Sequence, residues 1–517
     1  MPGRLRARYK GAGPDEGMRA MADLILSIDQ GTTGTTVFVI DARGKIRGRA
    51  YREIRQFYPR PGWVEHDPEE IFRSTVALAK AAIAKARAGA GDIRAIGITN
   101  QRETFVVWER RSGRPVHRAI VWQCRRSAAI CDALRERESE VAARTGLLLD
   151  PYFSGTKLKW LLDERPELRA RAERGELCFG TIDTWLIFRL SRGAGFVTDY
   201  TNASRTMMLN LARLEWDAEM LAMLEVPRAM LPAAVSSRGP LAEAAAGTIG
   251  ARAIPIAAVI GDQQAALFGQ GAVNPGESKA TYGTGAFLLM NTGGEPVVSH
   301  HRLLTTAALG REGAPAYALE GSVFVAGAAI QWLRDGLGLI RTAPESLGLA
   351  RKSRDRSQPY LVPAFVGLGA PYWDPAARGA IVGITRGTTR ADIVRAALDS
   401  IAYQVRDVII AMEADTARPM VELRADGGAA GNPYLMQFQA DLLDKPVRRP
   451  AIAETTALGA AMLAGLATGV WASQEALGVF HRGAKTFKPR MASGERERLL
   501  AGWSDAVGRV LTVRAAP

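Results

Sequence analysis

Asp29-Gln-Gly-Thr-Thr-Gly-Thr-Thr36 separates two short apolar runs, residues 24–28 and 37–40. Apolar runs of this length on either side of a glycine and threonine turn predict a β-hairpin. The strand-like residues 93–99 and the apolar run 254–260 are followed by polar or helical segments. Strands that alternate with helices in this way predict an α/β fold.

A second hairpin unit opens the other half of the chain, where Gly283-Thr284-Gly285 lies between two strand-like segments, residues 279–282 and 287–290. Two such units, one in each half, predict two lobes of related construction with a cleft between them. Glycine and proline cluster within residues 268–276, which places the lobe boundary there. We therefore expect three segments: a disordered basic extension at 1–21, an N-terminal lobe at 22–270 and a C-terminal lobe at 271–517.

Length and composition agree with a globular chain of two lobes. The chain has 517 residues, whereas a single hydrophobic core usually stops growing near ~250–300 residues. Apolar residues make up 47% and charged residues 23%, which excludes a largely disordered, collagen-like or coiled-coil chain. Residues 457–472, the most apolar stretch, are interrupted by glycines and predict a buried helix. This stretch falls short of the ~18–20 residues that cross a bilayer, so we expect no membrane insertion.

The net charge of +14 would suit a nucleic-acid partner, but the arginines are interleaved with glutamates and form no contiguous tract with aromatic neighbours. We therefore expect solvated, arginine-rich helix surfaces and no nucleic acid as partner. The N-terminus lacks the apolar segment of a secretory signal, and three cysteines are too few for a disulfide framework or a zinc site. These features predict a cytoplasmic location.

Several common phosphate-binding and catalytic motifs are missing. No Gly-Lys-Ser/Thr occurs, which excludes a Walker loop, and Leu288 occupies the third glycine position of a dinucleotide motif begun at Gly283 and Gly285. Neither a His-Arg-Asp loop nor a Gly-x-Ser-x-Gly elbow is present. The sequence therefore argues against these enzyme classes.

The first hairpin turn offers a different site for an anion. Gly31 and Gly34 let the backbone turn sharply and present amide N–H groups, and the hydroxyls of Thr32 and Thr33 add donors. Asp29, at the end of the apolar strand, could hold Mg²⁺ through water, because Mg²⁺ prefers hard oxygen ligands and keeps much of its hydration. A plain hairpin turn without a ligand is the alternative.

Three further segments carry polar groups at the ends of strands, where open α/β sheets gather ligands. Asp262 follows an apolar run and predicts a functional carboxylate, although a helix N-cap is the alternative for this residue. Gly283-Thr284-Gly285 offers a second phosphate loop. Asp426-Gly-Gly428 can approach a nucleotide at the start of a helix, with Asn432 one turn away.

Arg102 and Glu103 lie in a polar loop between two predicted strands. An adjacent donor and acceptor of fixed charge suit a polyhydroxylated substrate better than an apolar one. A solvated turn is the alternative for this pair.

Eight blocks of sequence together resemble the glycerol kinases, which belong to the carbohydrate-kinase family with the actin, sugar-kinase and heat-shock-ATPase fold. The resemblance extends from about residue 24 to residue 503 and implies two ribonuclease-H-like lobes. The blocks are Asp29-Gln-Gly-Thr-Thr33, Pro61-Gly-Trp-Val-Glu-His-Asp67, Ile98-Thr-Asn-Gln-Arg-Glu103, Ile120-Val-Trp-Gln-Cys-Arg125, Asp150-Pro-Tyr-Phe-Ser-Gly-Thr156, Asp199-Tyr-Thr-Asn-Ala-Ser-Arg205, Gly261-Asp-Gln-Gln-Ala-Ala-Leu267 and Ala370-Pro-Tyr-Trp-Asp-Pro375.

The resemblance implies ATP-dependent phosphorylation of glycerol to sn-glycerol 3-phosphate by in-line transfer, with Mg²⁺ and with Asp262 as the general base. It assigns Asp29 and Asp262 to the metal. It assigns the substrate to Arg102, Glu103, Trp122, Tyr152, Asp262, Gln263 and Phe287. It assigns the nucleotide to Thr32, Thr33, Gly34, Thr284, Gly327, Gln331, Gly428 and Asn432. Glycerol and ATP are the expected partners, and a homodimer or homotetramer is the expected assembly.

The chain departs from the family pattern after the first threonines. The family commonly has Ser and, two positions later, Arg, where this chain has Gly34 and Thr36. We therefore expect weaker or differently supported phosphate binding, with a backbone role for Gly34. Residues 246–252 correspond to a glycine-rich loop for fructose 1,6-bisphosphate in some relatives but contain fewer glycines, so the sequence leaves that control open.

Two other functions fit parts of the pattern. A kinase of a longer polyol or sugar, such as xylulose, would share the fold, but the match at Arg102, Glu103 and Tyr152 favours glycerol. A non-metabolic ATPase of this fold, such as a chaperone or scaffold, would not need residues 100–103 or Trp122.

Overall fold

The computed structural model describes residues 23–353 and 359–512, so the extension predicted at 1–21 lies outside the described residues. The strands of this part are β1 (Leu24–Gln30), β2 (Gly34–Ile40), β3 (Ile46–Glu53), β4 (Glu65–His66), β5 (Ile93–Asn100), β6 (Phe105–Glu109), β7 (Ala119–Ile120), β8 (Leu177–Thr181), β9 (Val197–Asp199), β10 (Leu209–Asn210), β11 (Glu215–Trp216), β12 (Ala233–Val235), β13 (Arg238–Ala244), β14 (Ile254–Gly261), β15 (Ser278–Tyr282), β16 (Ala286–Gly293), β17 (Leu304–Leu309), β18 (Pro315–Val323), β19 (Tyr360–Val362), β20 (Ala380–Val382), β21 (Leu423–Asp426), β22 (Val447–Arg449) and β23 (Lys485–Phe487).

The helices of the same residues are α1 (Pro68–Lys85), α2 (Ala128–Ala133), α3 (Glu138–Thr145), α4 (Ser154–Glu164), α5 (Pro166–Glu173), α6 (Ile182–Leu190), α7 (Tyr200–Ala203), α8 (Ala218–Met223), α9 (Asp262–Gly269), α10 (Gly327–Asp335), α11 (Glu345–Ala350), α12 (Arg390–Thr416), α13 (Pro433–Leu443), α14 (Thr455–Thr468) and α15 (Ser493–Gly508). Both predicted hairpins form, as β1–β2 and β15–β16. The apolar run 254–260 forms β14, as predicted.

Two large sheets form the two lobes, and their strand patterns correspond. The first sheet has the order β13-β14-β5-β1-β2-β3, and the second has the order β23-β22-β21-β15-β16-β18-β17. In each, three parallel strands are flanked by antiparallel neighbours: β14, β5 and β1 in the first sheet, and β22, β21 and β15 in the second. The prediction of an α/β fold with two related lobes is confirmed.

The helix predicted at 457–472 forms as α14 and ends earlier, because Gly469 adopts a left-handed φ of 76° and closes it. α14 follows the second sheet in sequence yet packs on β5, β14 and β1 of the first sheet and on α9. The two helices approach closely at Gly459, where a Cβ would lie 2.0 Å from the Ala265 carbonyl oxygen. α9 also contacts strands of both sheets, so α9 and α14 join the two lobes.

A smaller sheet, β4-β7-β6-β8, extends the N-terminal lobe. The two strands on either side of the 101–104 loop belong to different sheets, because β5 pairs within the first sheet and β6 pairs with β8. A separate apolar core that includes Phe105, Phe153 and Leu158 packs beside this sheet. The loop at 101–104 therefore lies where two sheets and two cores meet.

In the part of the chain that the structure describes, no helix is long and apolar enough to cross a membrane. Cys124, Cys131 and Cys178 are buried and free. The prediction that the cysteines form no disulfide framework agrees with this arrangement.

Candidate active site

Asp262 is the first residue of α9 and directly follows the buried strand β14. Gly261 occupies the N-cap, so the alternative in which Asp262 caps the helix is wrong. Its Oδ1 accepts a hydrogen bond from the Gln263 amide at 2.7 Å and lies 3.2 Å from Arg102 Nε. The Asp262 side chain is 29% exposed whereas that of Arg102 is 2% exposed. The carboxylate therefore has a buried side, held by arginine, and an accessible side.

Arg102 and Glu103 are 2% and 1% exposed, so the alternative of a solvated turn is wrong. Glu103 adopts a left-handed φ of 61°, and its carbonyl accepts a hydrogen bond from the Ser154 hydroxyl at 2.8 Å. A left-handed backbone is uncommon for a residue with a side chain and occurs preferentially at functional sites. The burial of Arg102 and Glu103 and the left-handed backbone of Glu103 therefore support a functional role for this pair.

A buried network of four charged side chains surrounds this turn. Glu320 of β18 accepts two hydrogen bonds from the Arg102 guanidinium, at 2.6 and 3.0 Å. Arg205 donates from Nε to Glu103 at 2.7 Å and from Nη2 to Glu320 at 3.0 Å. Two positive and two negative groups balance each other without solvent. Because Glu320 belongs to the second sheet and the other three residues to the N-terminal lobe, the network also joins the lobes.

The two glutamates of the network differ in their electrostatics. Burial raises the pKa of Glu320, but Arg102 and Arg205 outweigh burial and hold that pKa at about 2. Burial also raises the pKa of Glu103, and here the same arginines do not offset it. The difference follows from the geometry, since Glu320 accepts three arginine hydrogen bonds and Glu103 accepts one. Glu103 therefore retains acceptor capacity for a ligand.

Aromatic side chains lie beside the charged network. Trp122 and Tyr152 pack edge to face, with ring centroids 5.4 Å apart and an interplanar angle of 87°. The Trp122 indole N–H donates a hydrogen bond to the Thr32 hydroxyl at 2.8 Å. This hydroxyl, which is predicted to contact phosphate, is therefore bonded to the aromatic wall that Trp122 and Tyr152 form. Phe287 is half-buried on β16 of the second sheet.

Lys157 of α4 binds the backbone of the two segments that carry the aromatic wall. Its buried ammonium donates to the carbonyl oxygens of Tyr152, Val121 and Trp122, at 2.9, 3.2 and 3.4 Å. Burial lowers the pKa of Lys157 to about 7. One side chain thus fixes the two segments that carry Trp122 and Tyr152.

The two glycine and threonine turns are closed in similar ways. The Gly31 amide donates to the Gly34 carbonyl at 2.9 Å, and the Gly283 amide donates to the Gly285 carbonyl at 2.8 Å. Each turn exposes one threonine predicted to contact phosphate: Thr33 in the first turn and Thr284 in the second.

Gly327 and Gln331, predicted for the adenosine end of the nucleotide, lie on the first turn and a half of α10. The Gly327 amide donates to the Gly283 carbonyl at 2.9 Å, and a Cβ at Gly327 would lie 2.6 Å from that oxygen. The start of α10 can therefore pack against the second turn only with glycine. Gln331 is exposed, four residues further along the helix.

The segment after β21 carries the other two residues predicted for this end. Gly428 is exposed and a Cβ there would meet no atom within 4 Å, so this glycine leaves an open surface. Its neighbour Gly427 has a φ of 86°, and a Cβ at this position would lie 2.6 Å from the Tyr282 carbonyl oxygen. Asn432 caps α13 by accepting from the Tyr434 amide at 3.0 Å. Asn432 thus has a structural role beside the predicted one.

Asp29 is half-buried at the end of β1. Burial and the nearby charge of Asp262 raise its pKa to about 7. The Gln263 side chain accepts a hydrogen bond from Lys279, whose pKa burial lowers to about 8 against the charges of Asp426 and Asp262. Within residues 23–353 and 359–512, no group of three or more His, Cys, Asp or Glu side chains is placed to hold a metal.

Comparison with known proteins shows the family. The N-terminal domain model of the FGGY family of carbohydrate kinases matches residues 24–269, and the C-terminal domain model matches residues 278–468. The chain belongs to the FGGY family of carbohydrate kinases.

Relatives of this FGGY kinase are named glycerol kinases, which confirms the resemblance seen in the sequence. Glycerol kinase 2 of Thermotoga maritima is 55% identical over 489 residues, covering 94% of this chain and 98% of the relative. The glycerol kinase of Dechloromonas aromatica is 56% identical over 489 residues, covering 94% and 97%.

Solved structures agree with this assignment. The crystal structure of Plasmodium falciparum glycerol kinase with ADP matches with a TM-score of 0.91 and 35% identity, covering 96% of this chain and 99% of that chain. A ligand-bound xylulose kinase from Lactobacillus acidophilus matches with a TM-score of 0.83 but 22% identity, covering 94% and 97%. The second match supports the fold of the FGGY kinase alone.

The structure of this FGGY kinase adds residues that the sequence analysis did not assign to the site. Glu320 is a lone glutamate in the apolar strand β18, and Lys157 is a lysine on the buried face of α4. A charged residue among apolar neighbours was the signal available for both. Arg205 lies inside one of the blocks quoted for the resemblance but carried no assigned role.

Proposed function

We propose that this FGGY kinase catalyses ATP-dependent phosphorylation of glycerol to sn-glycerol 3-phosphate. The observation that supports this most directly is the meeting of Asp262 with Arg102 at 3.2 Å, beside Glu103 and the aromatic wall. A carboxylate with one accessible side, next to a paired donor and acceptor, suits a small polyol. The relatives at 55% and 56% identity support the same substrate.

In this proposal, the hydroxyls of glycerol bind Arg102, Glu103, Tyr152, Asp262 and Gln263. Arg102 donates and Glu103 accepts, which matches the two capacities of a hydroxyl group. Trp122 and Phe287 face the carbon chain. Because the rings of Trp122 and Tyr152 lie beside the charged network, we expect that a longer sugar would have to displace them.

The chemical step is an in-line transfer. The attacking hydroxyl gives its proton to the accessible oxygen of Asp262, its oxygen bonds to the γ-phosphorus, and the bond to the β–γ bridging oxygen breaks to release ADP. Burial raises the pKa of Asp262, while Arg102 and Lys279 oppose that rise. A carboxylate with a raised pKa is a stronger base for this proton. The loose transition state leaves positioning and charge neutralisation as the main tasks of the protein.

The nucleotide is placed between the two hairpin turns. Thr33, Gly34 and Thr284 contact the phosphates, with the Thr32 hydroxyl shared with Trp122. Gly327, Gln331, Gly428 and Asn432 contact the adenosine end. The cap uses the side-chain oxygen of Asn432, and its Nδ2 has one long hydrogen bond, to the Ser346 hydroxyl at 3.5 Å, which leaves one N–H for this purpose.

Mg²⁺ is the expected metal, and the residues present fit it. Asp29 and Asp262 are two neighbouring carboxylates, and burial together with the like charge of Asp262 raises the pKa of Asp29. A divalent cation would relieve that repulsion, and Mg²⁺ suits few carboxylate ligands together with water and phosphate oxygens. When bound, the metal neutralises charge on the phosphates.

Transfer to water must be prevented, and we propose that the cleft closes around glycerol and ATP by a hinge near the lobe boundary. The packing of α9 against α14 supports this idea, because these two helices connect the two sheets. X-ray scattering with and without both ligands tests it, and unchanged dimensions would contradict it.

The remaining assignments complete the proposal. The lobes are 22–270 and 271–517, the protein works in the cytoplasm, and it assembles as a homodimer or homotetramer. Size-exclusion chromatography with light scattering tests the assembly.

ATP consumption measured with and without glycerol tests the proposed function, with the product identified by mass spectrometry. Consumption that depends on glycerol and yields sn-glycerol 3-phosphate is the expected result. A panel with xylulose and other polyols is the matched control, and faster turnover of any of them would contradict the assignment of glycerol.

A further inference from the structure

Gly34, the first residue of β2, is covered by the side chain of Tyr51 on β3. A Cβ at Gly34 would lie 2.6 Å from the Arg52 carbonyl oxygen, 2.8 Å from Tyr51 Cε2 and 2.9 Å from the Tyr51 hydroxyl. Real Cβ atoms do not approach so closely. Tyr51 therefore occupies the space that a side chain at position 34 would fill, and its hydroxyl lies at the surface of the phosphate turn.

The pairing of the strands places Tyr51 on the same face as Asp29. Thr36 is opposite Asp29 on one side and opposite Tyr51 on the other. Residues opposite each other on adjacent strands point to the same face of a sheet. The Asp29 carboxylate is close enough to Asp262 to feel its charge, so this face looks toward the candidate active site.

The Tyr51 side chain lies at the surface beside the first hairpin turn. It is 52% exposed, and no hydrogen bond joins its hydroxyl to any residue that the structure describes. A tyrosine hydroxyl can donate to a phosphate oxygen and needs no change of charge to do so. The turn itself offers only backbone at Gly34.

We propose that Tyr51 is a nucleotide-binding residue whose hydroxyl donates to the phosphate end of ATP at the first hairpin turn. It supplies the donor that Gly34 cannot supply. The alternative is that Tyr51 only covers the backbone of Gly34. The proposal rests on the proposed kinase function for the identity of the ligand, but ATP binding by itself can test it.

The experiment uses the full chain and compares Tyr51→Phe with the wild type. Calorimetry without glycerol measures the affinity for Mg-ATP and for adenosine, and kinetics then give KM for ATP and for glycerol. We expect Mg-ATP affinity to fall by about tenfold, as for loss of one hydrogen bond to a charged group at a half-exposed site, with adenosine affinity and glycerol KM unchanged. Tyr58→Phe is the matched control, since Tyr58 is also exposed, at 69%, and should change neither affinity.

Mg-ATP affinity within twofold of the wild type in Tyr51→Phe would overturn the proposal and leave Tyr51 as a covering side chain. An equal loss for adenosine and Mg-ATP would also overturn it, because the contact would not be with phosphate. Tyr51→Leu, which removes the ring as well, then measures the covering role. A wild type that binds Mg-ATP but does not phosphorylate glycerol would refute the proposed function while leaving this test intact.

Discussion

Corresponding rows of residues cross the two large sheets, two residues before each hairpin turn. In the first sheet the row is Thr99, Asp29, Thr36 and Tyr51, and in the second it is Asp426, Thr281, Phe287 and Ser322. The strands have the same order and direction. Yet Asp29, two residues before the first turn, carries a carboxylate, whereas Thr281, two residues before the second turn, carries a hydroxyl.

The same difference extends to the segments that follow the neighbouring parallel strands. After β5 the chain continues to the charged pair Arg102 and Glu103, whereas after β21 it continues to Gly427 and Gly428. Charged groups suit hydroxyl recognition and proton transfer, while open glycine backbone suits close approach of a nucleotide. One scaffold, used twice, thus separates the chemistry of the acceptor from the binding of the donor.

Asp262→Asn gives the strongest test of this separation. The amide keeps the shape and can still contact Arg102, but it cannot take the proton of the attacking hydroxyl. We expect kcat to fall by about 10³-fold, within the range for loss of a general base, with glycerol affinity retained. Single-turnover kinetics and glycerol binding by calorimetry provide the measurement. Asp163→Asn on the exposed end of α4 is the control, and near-normal turnover in Asp262→Asn would remove the general-base role.

Glu320→Gln tests the glutamate that the second sheet contributes to the buried charged network, and which therefore departs from this pattern. Removing this charge takes away the carboxylate that binds both Arg102 and Arg205, and leaves Glu103 and the partly exposed Asp262 to balance the two buried arginines. We expect the free energy of unfolding to fall by about 3–5 kcal/mol, as for removal of one partner from a buried ion network, and KM for glycerol to rise. Urea unfolding and steady-state kinetics measure the two effects.

Glu295→Gln, at an exposed position of the same lobe, is the matched control for Glu320→Gln and should change neither quantity. If Glu320→Gln loses less than about 1 kcal/mol, the network is not the electrostatic connection between the lobes that its distances indicate.

The sequence was sufficient to predict the repeated hairpins, the buried helix within 457–472 and the location of Asp262 after an apolar strand, because these depend on local patterns. Strand runs, glycine turns and a carboxylate after an apolar strand are all visible within about ten residues. The contact between Arg102 and Glu320 joins residues 218 positions apart. No local pattern encodes that distance, and the packing of α14 on the first sheet is non-local in the same way.

Lys157→Met tests whether the aromatic wall is held by one ammonium. The methionine fills the space but donates to none of the three carbonyls, so Trp122 and Tyr152 lose their common support. We expect KM for glycerol to rise by about tenfold, as for the loss of one or two hydrogen bonds of a charged group, with KM for ATP nearly unchanged.

The pH dependence of glycerol binding gives a second measurement on the same variant. With its pKa at about 7, Lys157 is protonated below that pH and loses a proton, and one donor, as the pH rises. Wild-type KM for glycerol should therefore rise between pH 7 and 9, and Lys157→Met should flatten this rise. Lys159→Met on the same helix should keep it. A full rise in Lys157→Met would instead assign the titration to Lys279, whose pKa is about 8.

Thr284→Val should produce the smallest effect and sharpens the comparison from the second sheet. Thr284 is exposed on the second turn, so valine removes a hydroxyl without filling a core. We expect KM for ATP to rise by about two- to fivefold, since one exposed hydrogen bond is lost, while KM for glycerol and kcat stay within twofold. Thr292→Val, near the end of strand β16 that lies away from the second turn, is the control. A larger change in glycerol KM than in ATP KM would show that the second turn also serves the acceptor, and the division of labour between the two sheets would then be wrong.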